Sequence, residues 1–144
     1  MKGNIYYNAR MAAGLTQERW AELLGLTADT IRRYENGERL PDDYTVKTMA
    51  EISQVAALGY WHICRKCELL AGELPKVERL PLSQAVIRLL LAVKEIEPDI
   101  DTLLEIARDG KVSHEEDADF EAALETLDGL VGAALGVKYA EGTD

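Results

Sequence analysis

The chain has 144 residues, 47% of them hydrophobic, enough for one ordinary domain or two small helical ones. It contains no run of eighteen apolar residues, so no membrane span is expected, and its start, MKGNIYYNARM, lacks the apolar core of a signal peptide, which makes the cytoplasm the expected location. The formal charge of −10 argues against nucleic acid until it is divided: residues 1–79 hold eleven basic and eleven acidic side chains, residues 80–144 five and fifteen.

Helical spacing runs throughout, without strand alternation, repeats or low-complexity tracts. Gly14, Gly25, Asn36-Gly37 and Pro41 outline a first helix near Ile5–Ala13, a second near Gln17–Leu24 and a third near Ala28–Glu35. A fourth follows Pro41, which suits a first-turn position, and ends about Ser53; a short fifth lies around Ala57–Cys67. AGELPKVERLPL, residues 71–82, reads as a linker. Beyond it, Leu82, Val86, Leu89, Leu90, Val93 and Ile96 form one apolar stripe, and Ile100, Leu103, Leu104 and Ala107 another, either in the same helix kinked at Pro98 or in a separate one. A last helix is expected from about Glu115 to Tyr139, its seam formed by Phe120, Leu124, Leu127, Val131 and Ala134. Gly129, Gly132 and Gly136 weaken that helix, and close approach of a neighbouring helix is the expected compensation.

The stretch TQERWAELLGLTADTIRRYENG carries the most information. Two helices crossing over a tight turn need small residues where their backbones meet, and Ala21 and Gly25 supply that clearance. Trp20, Leu24, Leu26, Ile31 and Tyr34 fill the space beneath. Thr16 and Thr27 each precede a helix, where a hydroxyl accepts from an unpaired backbone N–H. The pattern describes a helix-turn-helix. With Ile31, Tyr34 and Glu35 inward, the 100° step turns Ala28, Asp29, Arg32, Arg33 and Asn36 outward.

LTQERWAELLGLTADTIRRYENG resembles the Cro/C1-type helix-turn-helix of phage repressors, the xenobiotic-response-element family of regulators, and the resemblance covers about residues 5–67. It implies a lambda-repressor-like domain of five helices whose third helix enters the major groove of double-stranded DNA. Ala28, Asp29 and Arg33 would then sit where bases are read, Arg33 on a guanine O6/N7 edge and Asp29 on a cytosine amine. Gln17 matches the family's phosphate-clamping glutamine, and Arg32, Asn36, Arg39 and Lys47 are further candidates for backbone contact. Arg10 and Glu35 match a structural ion pair that ties the first helix to the third. The plainer reading of Asp29 and Arg33, four apart, is that they pair with each other on a solvated helix.

Other signals are weaker. Cys64 and Cys67, with His62 nearby, lack the second ligand pair of a zinc site and the sheet of a thioredoxin-like motif, so they read as ordinary thiols. EIARDGKVSHEE has the outline of a calcium loop, with Asp109, Gly110, Val112, Ser113 and Glu116 at suitable offsets, but Glu105 and Ala107 spoil its first and third positions. Neither a metal nor a cofactor is expected, and no catalytic constellation is present, so an enzyme is not expected.

The expected protein is all-α: a DNA-binding domain at 1–70, a linker at 71–82 and an acidic helical domain at 83–144. The expected function is a sequence-specific transcriptional regulator of prophage or mobile-element type, bound to DNA as a homodimer. The C-terminal helices either join two copies or pack as three within one chain. The alternative is an adaptor that uses the helix-turn-helix as a scaffold and binds a protein partner through the acidic helices.

Overall fold

The computed structural model describes residues 4–70, 72–108 and 110–141. The fold is all-α: α1 (Ile5–Ala12), α2 (Gln17–Leu24), α3 (Ala28–Asn36), α4 (Asp43–Ser53), α5 (Leu58–Lys66), α6 (Leu82–Ile106) and α7 (Asp117–Lys138). A single 3-10 turn, Glu68–Leu70, follows α5. Among the described residues there is no strand, only an isolated bridge between Pro81 and Glu141, and no helix is long and apolar enough to cross a membrane. The chain divides into two compact units, Met1–Leu74 and Pro75–Asp144.

In the first unit each of the first four helices starts on a side-chain cap. Asn4 Oδ1 accepts from the amides of Tyr6 and Tyr7, Thr16 from Arg19, Thr27 from Thr30, and Asp42 from Thr45. Pro41 does not occupy the first turn of α4; the Asp42 carboxylate takes the cap, and Pro41 lies buried one residue before it. Tyr6, Trp20, Ile31, Met49 and Leu58 are at most 1% exposed and form the heart of the core, while Leu24 and Leu26 pack partly buried at its edge. Each fully buried large apolar side chain contributes about 1.5–3 kcal/mol. His62 is also buried, bonded through Nδ1 to the Tyr6 hydroxyl at 2.8 Å and through Nε2 to Asp43 at 3.1 Å. Burial pushes the Tyr6 phenol up, so it stays protonated; donating to Nδ1, it leaves the Nε2 proton for Asp43.

The second unit is a helix hairpin. Glu141 donates its amide to the Leu80 carbonyl at 3.0 Å, which brings the end of α7 beside the start of α6 and makes the two antiparallel. Residues expected to link the units belong partly to this one: Val77 is buried, and the Lys76 carbonyl lies against Gly132 of α7. Ala71, the first residue of the expected linker, lies outside the described residues, as do residues 1–3 of the expected DNA-binding domain. α6 is one helix through Pro98, whose ring stands exposed, where water can satisfy the carbonyl deprived of its partner. Two helices pack here, not three.

Of the expected apolar stripes only Ile96 is buried, while Leu89, Leu103, Phe120 and Leu127 are half-buried. α6 buries Ala85, Ala92, Ile96 and Ile106, and α7 buries Ala123 and Gly136. Leu82, Val86, Leu90, Val93, Ile100 and Leu104 are 38–66% exposed, and Leu124 and Val131 of the expected α7 seam are 43% and 46% exposed. Small residues let two backbones approach closely, so the hairpin buries its alanines together with Ile96 and Ile106 and leaves most of its other large side chains exposed. Gly132 meets the extended segment at Pro75–Lys76 and not a helix, while a Cβ at Gly129 or Gly136 would meet nothing within 4 Å.

Candidate nucleic-acid interface

The turn between α2 and α3 is built by Gly25, whose φ of +66° is a conformation that side chains disfavour. The Leu26 amide bonds the Ala21 carbonyl at 2.8 Å, closing α2 so that α3 leaves at a fixed angle. Gly37, φ +77°, ends α3 in the same way, with the Glu38 amide on the Arg33 carbonyl at 2.9 Å. Ile31 and Tyr34 hold the inner face in the core, which turns Asp29, Arg32, Arg33 and Asn36 to solvent beside the half-buried Ala28.

On that outer face one carboxylate holds two guanidinium groups. Asp29 Oδ1 accepts from Arg32 Nη2 at 2.6 Å, and Oδ2 from Arg33 Nε at 2.8 Å. Both arginine side chains stay about half exposed. The hydrogen bond from Arg32, and then the charge of Arg33, hold the Asp29 carboxyl below its ordinary value, so it is ionised at neutral pH. Asp29 meets Arg33 at Nε, and the Arg33 side chain stays 54% exposed on the outer face.

Beneath this face lies a buried polar knot. Arg10 Nε and Nη2 reach Glu35 Oε1 and Oε2 at 2.6 and 3.1 Å, and Arg10 Nη1 donates to the Leu15 carbonyl at 2.7 Å. The two side chains are only 9% and 5% exposed. The Glu35 carboxylate raises the already high Arg10 pKa further, so the guanidinium never loses its proton. Gln17 belongs to this knot: its Nε2 donates to Glu35 Oε2 at 2.8 Å. Its carboxamide nitrogen is therefore turned inward, while its backbone N–H stands at the first position of α2, where no intrahelical partner exists.

The remaining candidates are spread more widely. Asn36 donates to Glu38 at 3.0 Å, and Glu38 also faces Arg32 at 3.5 Å. Glu38 was not among the expected site residues; it is six residues from Arg32 and beyond the helix end, a spacing with no periodic signature. The Arg39 guanidinium lies 6.0 Å from the Tyr34 ring centre. Lys47 is exposed on α4, which packs principally on α1, α2 and α5, so it is not brought onto the α3 face. His62 serves the core, Cys64 and Cys67 are half-buried free thiols, and no group of three His, Cys, Asp or Glu among the described residues is placed to hold a metal. At the calcium-like loop, Glu116 accepts from the Ser113 amide at 2.9 Å, and Asp109 lies outside the described residues.

The helix-turn-helix family matches residues 7–55, the segment that holds most of α1, all of α2 to α4 and the whole of this face. No curated protein matches the chain, and no solved structure does. The N-terminal unit is thus a helix-turn-helix domain, followed by further helices.

Proposed function

We propose that the chain is a sequence-specific DNA-binding transcriptional regulator of prophage or mobile-element type, acting in the cytoplasm as a homodimer. The family match over residues 7–55 supports the DNA-binding reading, and the resemblance of the LTQERWAELLGLTADTIRRYENG string supports the phage type. The observation that carries the reading is the outer face of α3, where Arg33 meets Asp29 at Nε and stays half exposed to solvent.

In this reading α3 enters the major groove. Arg33 grips a guanine, Asp29 accepts from a neighbouring cytosine amine, and Ala28 touches a thymine methyl. Arg32, Asn36, Arg39 and the backbone N–H of Gln17 face phosphates, with Lys47 at the margin. One such domain reads few bases, so two copies bind half-sites about one helical turn apart. Asp29 repels phosphate where it finds no amine, which sharpens selection at the expense of non-specific affinity.

The same Asp29 favours a second reading, in which the face is electrically neutral because it does not meet DNA and the acidic helices bind a protein. A gel-shift series on genomic fragments at increasing salt separates the two. Retention of a few fragments, weakening as salt rises, supports the regulator; failure to retain any fragment at low salt removes it in favour of the adaptor.

A further inference from the structure

α6 carries two apolar seams, and the hairpin buries only one. The inner seam, with Ala85, Ala92 and Ile96, faces α7. The outer one runs through Leu82, Val86, Leu90, Val93, Ile100 and Leu104, every one of them 38–66% exposed. The spacing is four, four, three, then seven and four, with Glu97 filling the one missing heptad position. The seam spans 22 helical positions, about 33 Å. Exposed apolar surface of that length marks an interface, and a unit of two helices has little core of its own to stand on.

We infer that a second copy of this chain seats on the outer seam of α6, running antiparallel, with the two-fold axis beside Val93. This deepens the dimer reading above by giving it a surface and a direction. Three features of the chain select a second copy over another protein. The first is symmetry: reversal about Val93 exchanges Leu82 with Leu104 and Val86 with Ile100, sets Val93 against itself and places Leu90 beside Glu97, so four of the six seam residues exchange in pairs as a two-fold interface requires.

The second is charge. Residues 82–94 contain Arg88 and Lys94 and no acid; residues 95–106 contain Glu95, Glu97, Asp99, Asp101 and Glu105 and no base. Of these acids Glu97, Asp101 and Glu105 lie in or beside the outer seam; a parallel pair sets them against their own copies, whereas an antiparallel pair sets them against the half that holds no acid. Glu97, the one charge within the seam, then falls opposite Leu89 of the second copy and not opposite a second Glu97.

The third is the helix dipole. Acids toward the C-terminus and bases toward the N-terminus oppose the macrodipole of α6 itself. An antiparallel neighbour lays its acidic half along the positive end and its basic half along the negative one. α7, also antiparallel, does not supply this, because its own acids, Asp117, Asp119, Glu121, Glu125 and Asp128, lie toward the loop beside the acidic end of α6.

The test uses the full chain without DNA, so its outcome is independent of the gel shift. Sedimentation at tens of micromolar is expected to give twice the chain mass, and Leu90→Glu to halve it while helical circular dichroism persists. In a background with Cys64→Ser and Cys67→Ser, Val93→Cys is expected to form a disulfide-linked dimer. Val86→Cys and Ile100→Cys are each expected to stay single alone but to cross-link when mixed. A monomeric parent, or a dimer that survives Leu90→Glu, overturns the inference; so does self-linking of both Val86→Cys and Ile100→Cys, which reports a parallel pair.

Discussion

Arg10 and Glu35, 25 residues apart, meet through two parallel hydrogen bonds of 2.6 and 3.1 Å in a setting almost closed to water. The pair joins α1 to α3, and Gln17 adds α2. Glu35→Ala leaves a buried guanidinium without its counter-charge, so a loss of about 3–5 kcal/mol is expected. Replacing both partners, Arg10→Met with Glu35→Leu, removes the stranded charge and is expected to recover most of that loss. Urea unfolding followed by tryptophan fluorescence checks this, because both tryptophans, Trp20 and Trp61, lie in the first unit. If the double variant is as unstable as Glu35→Ala, the cost lies in packing and not in the unpaired charge.

In the proposed reading, the pairing of Asp29 with two arginines makes the face of α3 a selective one. Asp29→Asn removes one negative charge and loosens both guanidinium groups, so affinity for arbitrary duplexes is expected to rise several-fold while discrimination falls. Arg33→Ala is expected to relax base preference at one position, a loss of about 1–3 kcal/mol for the preferred sequence, whereas Arg32→Ala weakens all duplexes alike. Competition titrations against random-sequence DNA measure both. An Asp29→Asn variant that binds arbitrary DNA no better than the parent removes the repulsive role of the carboxylate.

The first unit was legible because its signals are local. A threonine cap acts within three residues, a left-handed glycine within five, and the alternation of Trp20, Ile31 and Tyr34 with charged neighbours fixes which side is inside. The direction in which a long polar side chain turns is not local: Gln17 went inward because Glu35 and Arg10, distant in sequence, had room for another donor. Glu38 was missed for a similar reason. In the second unit apolar residues cover more than half the circumference of α6, so periodicity alone does not choose a face. The choice fell to Ala85, Ala92, Ala123 and Gly136, whose small size matters only once a second helix is beside them.

Trp20 is fully buried, and its indole N–H has no hydrogen-bond acceptor among the described residues. An unmatched buried donor costs about 1–3 kcal/mol. Trp20→Phe deletes that donor along with part of the ring, so the cavity and the relieved desolvation oppose each other and a net change within about 1 kcal/mol is expected. Leu58→Ala, which offers no such relief, is expected to cost about 2–5 kcal/mol. Denaturant unfolding read through Trp61 compares them; a Trp20→Phe variant as damaged as Leu58→Ala means that the N–H is satisfied in solution.

Asp42 and Asp43 give the first unit an acid-sensitive edge. The Thr45 amide chiefly holds the Asp42 carboxyl below its ordinary 3.8, and the Lys66 ammonium, then His62, does the same for Asp43. A carboxyl with a lower pKa folded than unfolded stabilises the fold where both states are ionised, above about pH 4. That contribution is lost as pH falls through the folded values. Thermal midpoints read by tryptophan fluorescence are therefore expected to fall more steeply below pH 3.8 in the parent than in the Asp42→Asn, Asp43→Asn double variant. Equal slopes would show that the fall arises elsewhere.

Gly129 and Gly132 are three residues apart in α7 and are expected to respond oppositely to the same change. A Cβ at Gly129 meets nothing within 4 Å, so Gly129→Ala is expected to stabilise the hairpin by up to about 1 kcal/mol through helix propensity. A Cβ at Gly132 comes within 3.0 Å of the Lys76 carbonyl oxygen and 3.5 Å of Pro75 Cβ. Neither neighbour yields easily, because the first is backbone next to the buried Val77 and the second is a ring. Gly132→Ala is therefore expected to detach the segment before α6 from α7 and to cancel or reverse the propensity gain. Hydrogen exchange resolved to peptides of residues 75–81 and of α7 reads this directly, as faster exchange in both for Gly132→Ala and slower exchange in α7 for Gly129→Ala. Equal protection in the two variants would mean that the extended segment does not lie on Gly132 in solution.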